Sequence, residues 1–190
     1  SQSVLAKEKW RPVTPAELSM KKGKVEADAD AEAIFWEVKI NDASRDLVMN
    51  HYVRVKILTE RGREKFSKVD ISYNEGKKIR DIEARVIKQD GTIIELQKDD
   101  VFDREIVKTD EVKYKAKSFA VPNIEAGVIV EYQYKEVIRN GLAEDMRMIF
   151  QRDIPMQKVS YHFKPAGSVK YLTFNPLTFL RGFGVLGFWG

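Results

Sequence analysis

Apolar and polar residues alternate with a period of two along most of this chain. From Ile34 to Ile40, the side chains of Ile34, Trp36, Val38 and Ile40 fall on one face and those of Phe35, Glu37 and Lys39 on the other. Between Val48 and Leu58, Met49, His51, Val53, Val55 and Ile57 form an apolar face, opposed by Asn50, Tyr52, Arg54 and Lys56. Val69, Ile71 and Tyr73 alternate with Lys68, Asp70 and Ser72, and Val159, Tyr161 and Phe163 with Ser160, His162 and Lys164. Successive side chains of a strand point to opposite faces, so the pattern predicts half-buried strands with polar faces in water.

Turn chemistry separates these runs. Arg85 to Leu96 holds two β-branched-rich runs around Asp90-Gly91, which predicts a hairpin closed by a type I′ turn. The stretch from Ile79 to Ile138 around this hairpin is expected to organise the chain, with the remaining sheet added to it. Asn41 to Asp46, Glu60 to Glu64, Glu125 to Gly127 and Asn140-Gly141 are further turn signals, and Asn74-Glu75-Gly76 is expected to close another hairpin. Thr14-Pro15-Ala16-Glu17 has the form of a capping box and predicts a single short helix ending near Lys22-Gly23.

About ten short strands at this spacing indicate an all-β chain, an antiparallel β-sandwich with a short N-terminal helix and a hydrophobic C-terminal extension. Helical crossovers, which parallel strands require, are missing from the pattern. The expected organisation is an N-terminal segment over 1–32, the sandwich over 33–170 and the extension over 171–190.

Composition changes this picture little. A 43% apolar content supplies a core, and 33 Lys and Arg against 29 Asp and Glu give a net charge of +4, dispersed rather than gathered in a basic stripe. Nucleic acid is therefore not expected as a partner. Lys113, Lys115 and Lys117, interleaved with Tyr114 and Ala116, form a solvated strand face, and Lys77-Lys78 is too short a run to change that. With no cysteine, thiol nucleophiles, thiolate metal sites and disulfides are excluded. The chain opens Ser1-Gln2-Ser3 without an initiator Met, which fits a mature chain after signal removal or a trimmed one; export is the expectation.

Candidate chemistry is sparse. His51 and His162 are the two histidines, and no G-x-S-x-G motif presents a serine to either. His51 shares the apolar face of its strand, while His162 is expected in solvent. Asp28, Asp30 and Glu32 have a cation-ligand spacing but lack the glycine and the later glutamate of a calcium loop, and Asp99, Asp100 and Asp103 suit a solvated turn. Gly182 to Gly187 has no phosphate-binding context. No catalytic, cofactor or metal site is expected.

The tail is the anomaly. Leu177, Phe179, Leu180, Phe183, Val185, Leu186, Phe188 and Trp189 place apolar groups on both faces of an extended segment, more than a free terminus exposes. Pro176 and Arg181 interrupt it, and the 14 residues from Leu177 fall short of the roughly 20 that a membrane helix needs. Either the tail completes its own sheet, or it is donated as a strand to another copy of the chain, giving head-to-tail, filament-like assembly. These eight residues are the expected interaction surface, and the expected partner is protein.

Four phrases together carry a family resemblance: Trp10 with Val13-Thr14-Pro15-Ala16-Glu17-Leu18, Tyr52 to Gly62, Ile82 to Gly91, and Phe119 to Tyr132. Over roughly residues 10 to 165 the chain resembles the β-sandwich domain of unknown function 3857, found N-terminal to transglutaminase-like domains in bacterial proteins. The resemblance implies an exported or envelope-associated chain acting as a non-catalytic partner. A transglutaminase-like centre needs a Cys nucleophile, which is absent here, so no catalytic residue is carried over. The expectation is an exported structural or interaction module; the alternative is an accessory domain, split or vestigial, serving a separate transglutaminase-like enzyme.

Overall fold

The computed structural model describes residues 10–74, 76–108, 113–143, 146–167, 172–174 and 185–187. Near the N-terminus, Thr14 caps α1 (Pro15–Ser19): its hydroxyl oxygen accepts from the Glu17 N–H at 3.2 Å, and Glu17 Oε2 accepts from the Thr14 N–H at 2.6 Å. This is the expected capping box, though the helix stops at Ser19, before Gly23. Twelve strands follow among the described residues: β1 (Ala31–Asn41), β2 (Leu47–Ile57), β3 (Lys68–Asn74), β4 (Lys77–Ile87), β5 (Ile93–Glu95), β6 (Phe102–Lys108), β7 (Lys113–Ala120), β8 (Ile129–Ile138), β9 (Arg147–Ile149), β10 (Val159–Lys164), β11 (Leu172–Phe174) and β12 (Val185–Gly187).

A second helix, α2 (Glu60–Lys65), forms where a turn is expected. Thr59 accepts from the Gly62 N–H at 3.2 Å and starts it. Gly62 is needed there for packing: a Cβ would lie 2.1 Å from the carbonyl oxygen of Asp30. One-turn 3-10 geometry at Lys98–Asp100 is the remaining helical piece among the described residues.

Seven strands form one sheet in the order β11-β10-β1-β2-β8-β4-β5, three form a second in the order β3-β7-β6, and β9 and β12 make a two-stranded ribbon. The large and the three-stranded sheets pack into the expected sandwich. Val38, Ile40, Val53, Val55, Val86 and Val130 from the large sheet join Val69, Ile71 and Phe119 from the smaller one in a single core. Phe119 meets Tyr132 edge-on, with centroids 6.3 Å apart.

Several expectations about pairing are corrected. The Asp90-Gly91 hairpin pairs β4 with β5 but lies at an edge of the large sheet; its middle is β2 and β8, antiparallel from Leu47↔Ile138 to Lys56↔Ile129. Its turn is not type I′. The Gly91 N–H donates to Lys88 O at 2.9 Å, and the Lys88 N–H to Thr92 O at 2.9 Å. Gly91 takes a φ of 87°, whereas Asp90 keeps a negative φ, as in a three-residue loop with a glycine bulge. β3 and β4 do not form a hairpin, because the chain crosses there from one sheet to the other. β10 runs parallel to β1, from Trp36↔Val159 to Asn41↔Lys164, the one parallel strand pair among the described residues. A bulge between Ala33 and Phe35 takes Ile34 out of the alternation. Ala31 and Glu32 already belong to β1, and Leu172–Phe174 pairs with β10, so the large sheet reaches past both boundaries expected for the sandwich.

Candidate functional site

Among the described residues, a buried group of ionisable side chains lies on the face of the large sheet that looks away from the core. Tyr52, Arg54 and Lys56 of β2, Arg85 of β4 and Glu131 of β8 project there; the alternation places them in water, yet all are buried, with Lys56 and Glu131 at 0% exposure. The covering is the segment from Trp10 to Met20. Trp10 packs edge-on against Tyr52 at 5.7 Å, and the guanidinium of Arg85 lies 4.7 Å from the Trp10 ring centroid. The guanidinium of Arg11 lies over both Phe35 (4.9 Å) and Tyr52 (5.2 Å).

Strand register brings the charges together, since Arg54 and Arg85 both stand opposite Glu131. Arg54 donates to Glu131 Oε1 through Nε at 2.9 Å and Nη2 at 2.7 Å, and Arg85 Nε donates to Glu131 Oε2 at 2.7 Å. The Tyr52 hydroxyl also donates to Glu131 Oε1 and accepts from the Arg11 N–H at 2.9 Å. The remaining Arg54 hydrogens reach the covering segment: Arg11 O at 2.6 Å, Pro12 O at 3.1 Å and Glu17 Oε1 at 3.0 Å. Lys56 Nζ bridges Leu18 O and Gly127 O, each at 2.7 Å.

The electrostatics follow from burial and these partners. Burial works against the charge on Arg54, but Glu131 and Glu17 outweigh it and hold its pKa above the ordinary value. Burial, reinforced by the bond to Glu131, pushes the Tyr52 hydroxyl up to about 12. Burial lowers the Lys56 ammonium. A lysine of this kind has the character of a nucleophile. Here it is closed in, with Leu18 O and Gly127 O on its nitrogen, and the arrangement ties the N-terminal segment to the centre of the sheet.

The histidines divide. His51 sits at the rim of the core, as its face predicts; its ring stacks on Tyr134 at 4.4 Å, and its Nε2 lies 3.3 Å from Glu136 Oε2. Burial acts to raise the Glu136 pKa, but His51 and Lys77 bring it below its ordinary value. His162 is not in open solvent: Nε2 lies 3.3 Å from Glu37 Oε2 and Nδ1 3.0 Å from Thr173 Oγ1, linking β10 to both flanking strands. Glu37 also bonds Arg11.

The acids that suggested a cation loop do not converge. Glu32 accepts from the Lys24 and Val25 N–H groups and from Gln157 Nε2, whereas Asp30 accepts from the Thr59 hydroxyl at 2.6 Å. Asp103 takes Lys117 Nζ at 2.8 Å and the Tyr73 hydroxyl at 3.2 Å, while Asp99 and Asp100 lie in the 3-10 turn. Among the described residues no group of three His, Asp or Glu side chains is placed to hold a metal ion.

In the tail, Val185 and Leu186 belong to β12, which pairs with β9 of the same chain as Val185↔Ile149 and Leu186↔Met148. Leu177, Phe179, Leu180, Phe183, Phe188 and Trp189 lie outside the described residues. Sequence reasoning missed the buried set of Arg54, Lys56, Arg85 and Glu131. The available signal was opposite charge at facing strand positions, legible only once strand order is known.

The sequence family described as Domain of Unknown Function with solved-structure structure (DUF3857) matches residues 43–175. Among solved structures the chain is similar to a crystal structure of a candidate protease from Parabacteroides distasonis, with a TM-score of 0.59 and 14% identity. That match covers 70% of this chain and 28% of the other, and at this identity it concerns the fold alone. No curated protein matches the chain.

Proposed function

The chain belongs to the DUF3857 family, and from that premise we propose that it is a non-catalytic structural or interaction module of an exported protein, acting through its surfaces. The observation that carries this reading is Glu131. It is the acid at the centre of the buried group of ionisable side chains, it is 0% exposed, and Tyr52, Arg54 and Arg85 occupy its two oxygens. A general base needs a free lone pair within reach of a substrate. Tyr52 and Arg54, so held, also bond Arg11, Pro12 and Glu17 and anchor the N-terminal segment.

A specific observation favours a second reading, in which the module is accessory to a catalytic domain of transglutaminase-like or related type. The similar solved structure is of a candidate protease, and this chain spans only 28% of its length. Self-assembly belongs to the first reading. The β9–β12 pairing made within one chain becomes a head-to-tail contact when made between copies, because a donated strand leaves a free donor and a free acceptor at the ends.

Light scattering on the full chain and on a chain ending at Phe174 separates these possibilities. Strand donation requires a mass that rises with concentration and returns to that of a monomer in the truncated chain. A monomer at all concentrations that co-purifies with a separately expressed transglutaminase-like domain supports the accessory role. Peptidase or acyl-transfer turnover that disappears in Glu131→Gln, with folding intact, overturns the non-catalytic reading.

A further inference from the structure

Arg152, in the segment between β9 and β10, lies over the indole of Trp36 with its guanidinium carbon 3.8 Å from the ring centroid. Unlike Arg54 and Arg85, it has neither an acid nor a hydrogen-bond partner among the described residues. Its Nε is buried with no acceptor, and so is Nε1 of Trp36. A buried N–H without a partner is costly, and native proteins keep few of them. Two on stacked neighbours leave a pair of donors that an acceptor from outside could satisfy.

Both side chains border a cleft of about 250 Å³ between the two sheets, walled by Phe66, Val69, Tyr132 and Ile154. Lys65 and Lys68 stand at its rim with Asp70 and Asp153. Asp70 is already engaged by Ser118, by Arg104 at 2.7 Å and by Lys68 at 3.5 Å, and Lys65 Nζ donates to Asp153 O at 3.3 Å. With two rim lysines set against two rim aspartates, Arg152 is left as the uncompensated charge.

We propose that this cleft binds a carboxylate borne on an apolar group, with Arg152 and the Trp36 indole N–H donating to its oxygens and the aromatic and aliphatic wall holding the apolar part. Among the described residues Arg152 is held by stacking on Trp36 alone, so a rotation of its side chain can turn the guanidinium toward a ligand beside the indole. A guanidinium fork matches a carboxylate. One uncompensated positive charge suits a monoanion rather than a phosphate dianion. The volume falls below the roughly 300–1,000 Å³ of drug-sized ligand sites, so it admits a group the size of one residue. Such a group comes from a free small acid or from the C-terminal residue of a polypeptide. A free acid fills the cleft whether or not the chain self-assembles, so this inference stands apart from the tail.

The test is calorimetric titration of the full chain with N-acetyl-phenylalanine, its C-terminal amide, and a short peptide ending in phenylalanine. The Trp36 indole N–H resonance, assigned with Trp36→Phe, is followed in parallel. The acid is expected to bind with a Kd on the order of 0.1–1 mM and to move that resonance. The amide is expected to bind about tenfold or more weakly, as is the acid to Arg152→Gln, with Arg152→Lys in between. A peptide binding at least as well as the small acid identifies a chain terminus as the source; a peptide excluded while the acid binds identifies a free acid. Absence of acid binding, equal binding of acid and amide, or unchanged affinity in an Arg152→Gln protein with an unchanged melting midpoint overturns the proposal.

Discussion

Among the described residues, arginines leave water at two places, and their surroundings differ. Under the N-terminal segment, Arg54 and Arg85 share the oxygens of Glu131, and the hydrogens left on Arg54 find Arg11 O, Pro12 O and Glu17. In the cleft, Arg152 has an aromatic face beneath it and an Nε with no acceptor. Desolvating a charge is tolerable where partners are supplied by the fold. The first cluster is thus complete within the chain and ties two of its parts together, whereas the second is incomplete.

The sharpest way to break this contrast is to remove the shared acid. Glu131→Ala leaves two guanidinium groups buried without a counter-charge and is expected to lower stability by about 3–5 kcal/mol, measured by urea denaturation. A loss as small as that of an exposed residue would mean that the two arginines are served by the covering segment alone.

Next comes Tyr52→Phe, which removes one donor to Glu131 and the acceptor of the Arg11 N–H; the expected loss near neutral pH is about 1–2 kcal/mol. Its pH dependence has a definite sign. The folded hydroxyl titrates at about 12, above the ordinary value of about 10. Its contribution is therefore fully present below pH 10 and is lost as pH rises from 10 through 12. Lys56, lowered by burial, acts oppositely, adding stability as pH approaches its unfolded pKa from below. Tyr132 is also raised to about 12 by burial, so Tyr52→Phe should flatten the alkaline loss without abolishing it. An alkaline unfolding profile identical to the parent chain would contradict the placement of the Tyr52 hydroxyl.

Thr14→Ala acts on the covering segment from outside. It removes the capping-box acceptor at the start of α1, with an expected cost of about 1 kcal/mol. Glu17, held by that box, also bonds Arg54. Hydrogen exchange should therefore quicken from Trp10 to Met20 before it changes in β2 or β8; simultaneous change in all three would show that the segment does not loosen separately.

The smallest effect is expected at Arg152. Because the stacking lost on Trp36 is offset by relief of the unpartnered Nε, Arg152→Gln should alter stability by about 1 kcal/mol or less while weakening carboxylate binding. A loss approaching that of Glu131→Ala would place Arg152 in the structural class and erase the contrast.

Local physics made much of the fold legible without coordinates. A period of two shows which side chains share a strand face, so the core side of β2 and the place of His51 on that side were readable. The Thr14–Glu17 box and the bend at Gly91 depend on backbone groups within a few residues, and both are present, although the turn differs in type. Alternation does not show what lies over a face. The polar face of β2 is buried because Trp10 to Met20 docks on it, and that docking depends on Arg54, Arg85 and Glu131 meeting through strands β2, β4 and β8, which are far apart in the chain. The same limit explains α2, stabilised where Gly62 packs against Asp30, and the parallel β1–β10 pair. It also explains why His162 was expected in solvent: tertiary structure set it between Glu37 and Thr173 and, among the described residues, left Arg152 on Trp36 without an acid, because partners for buried charge are recruited across the fold rather than along the chain.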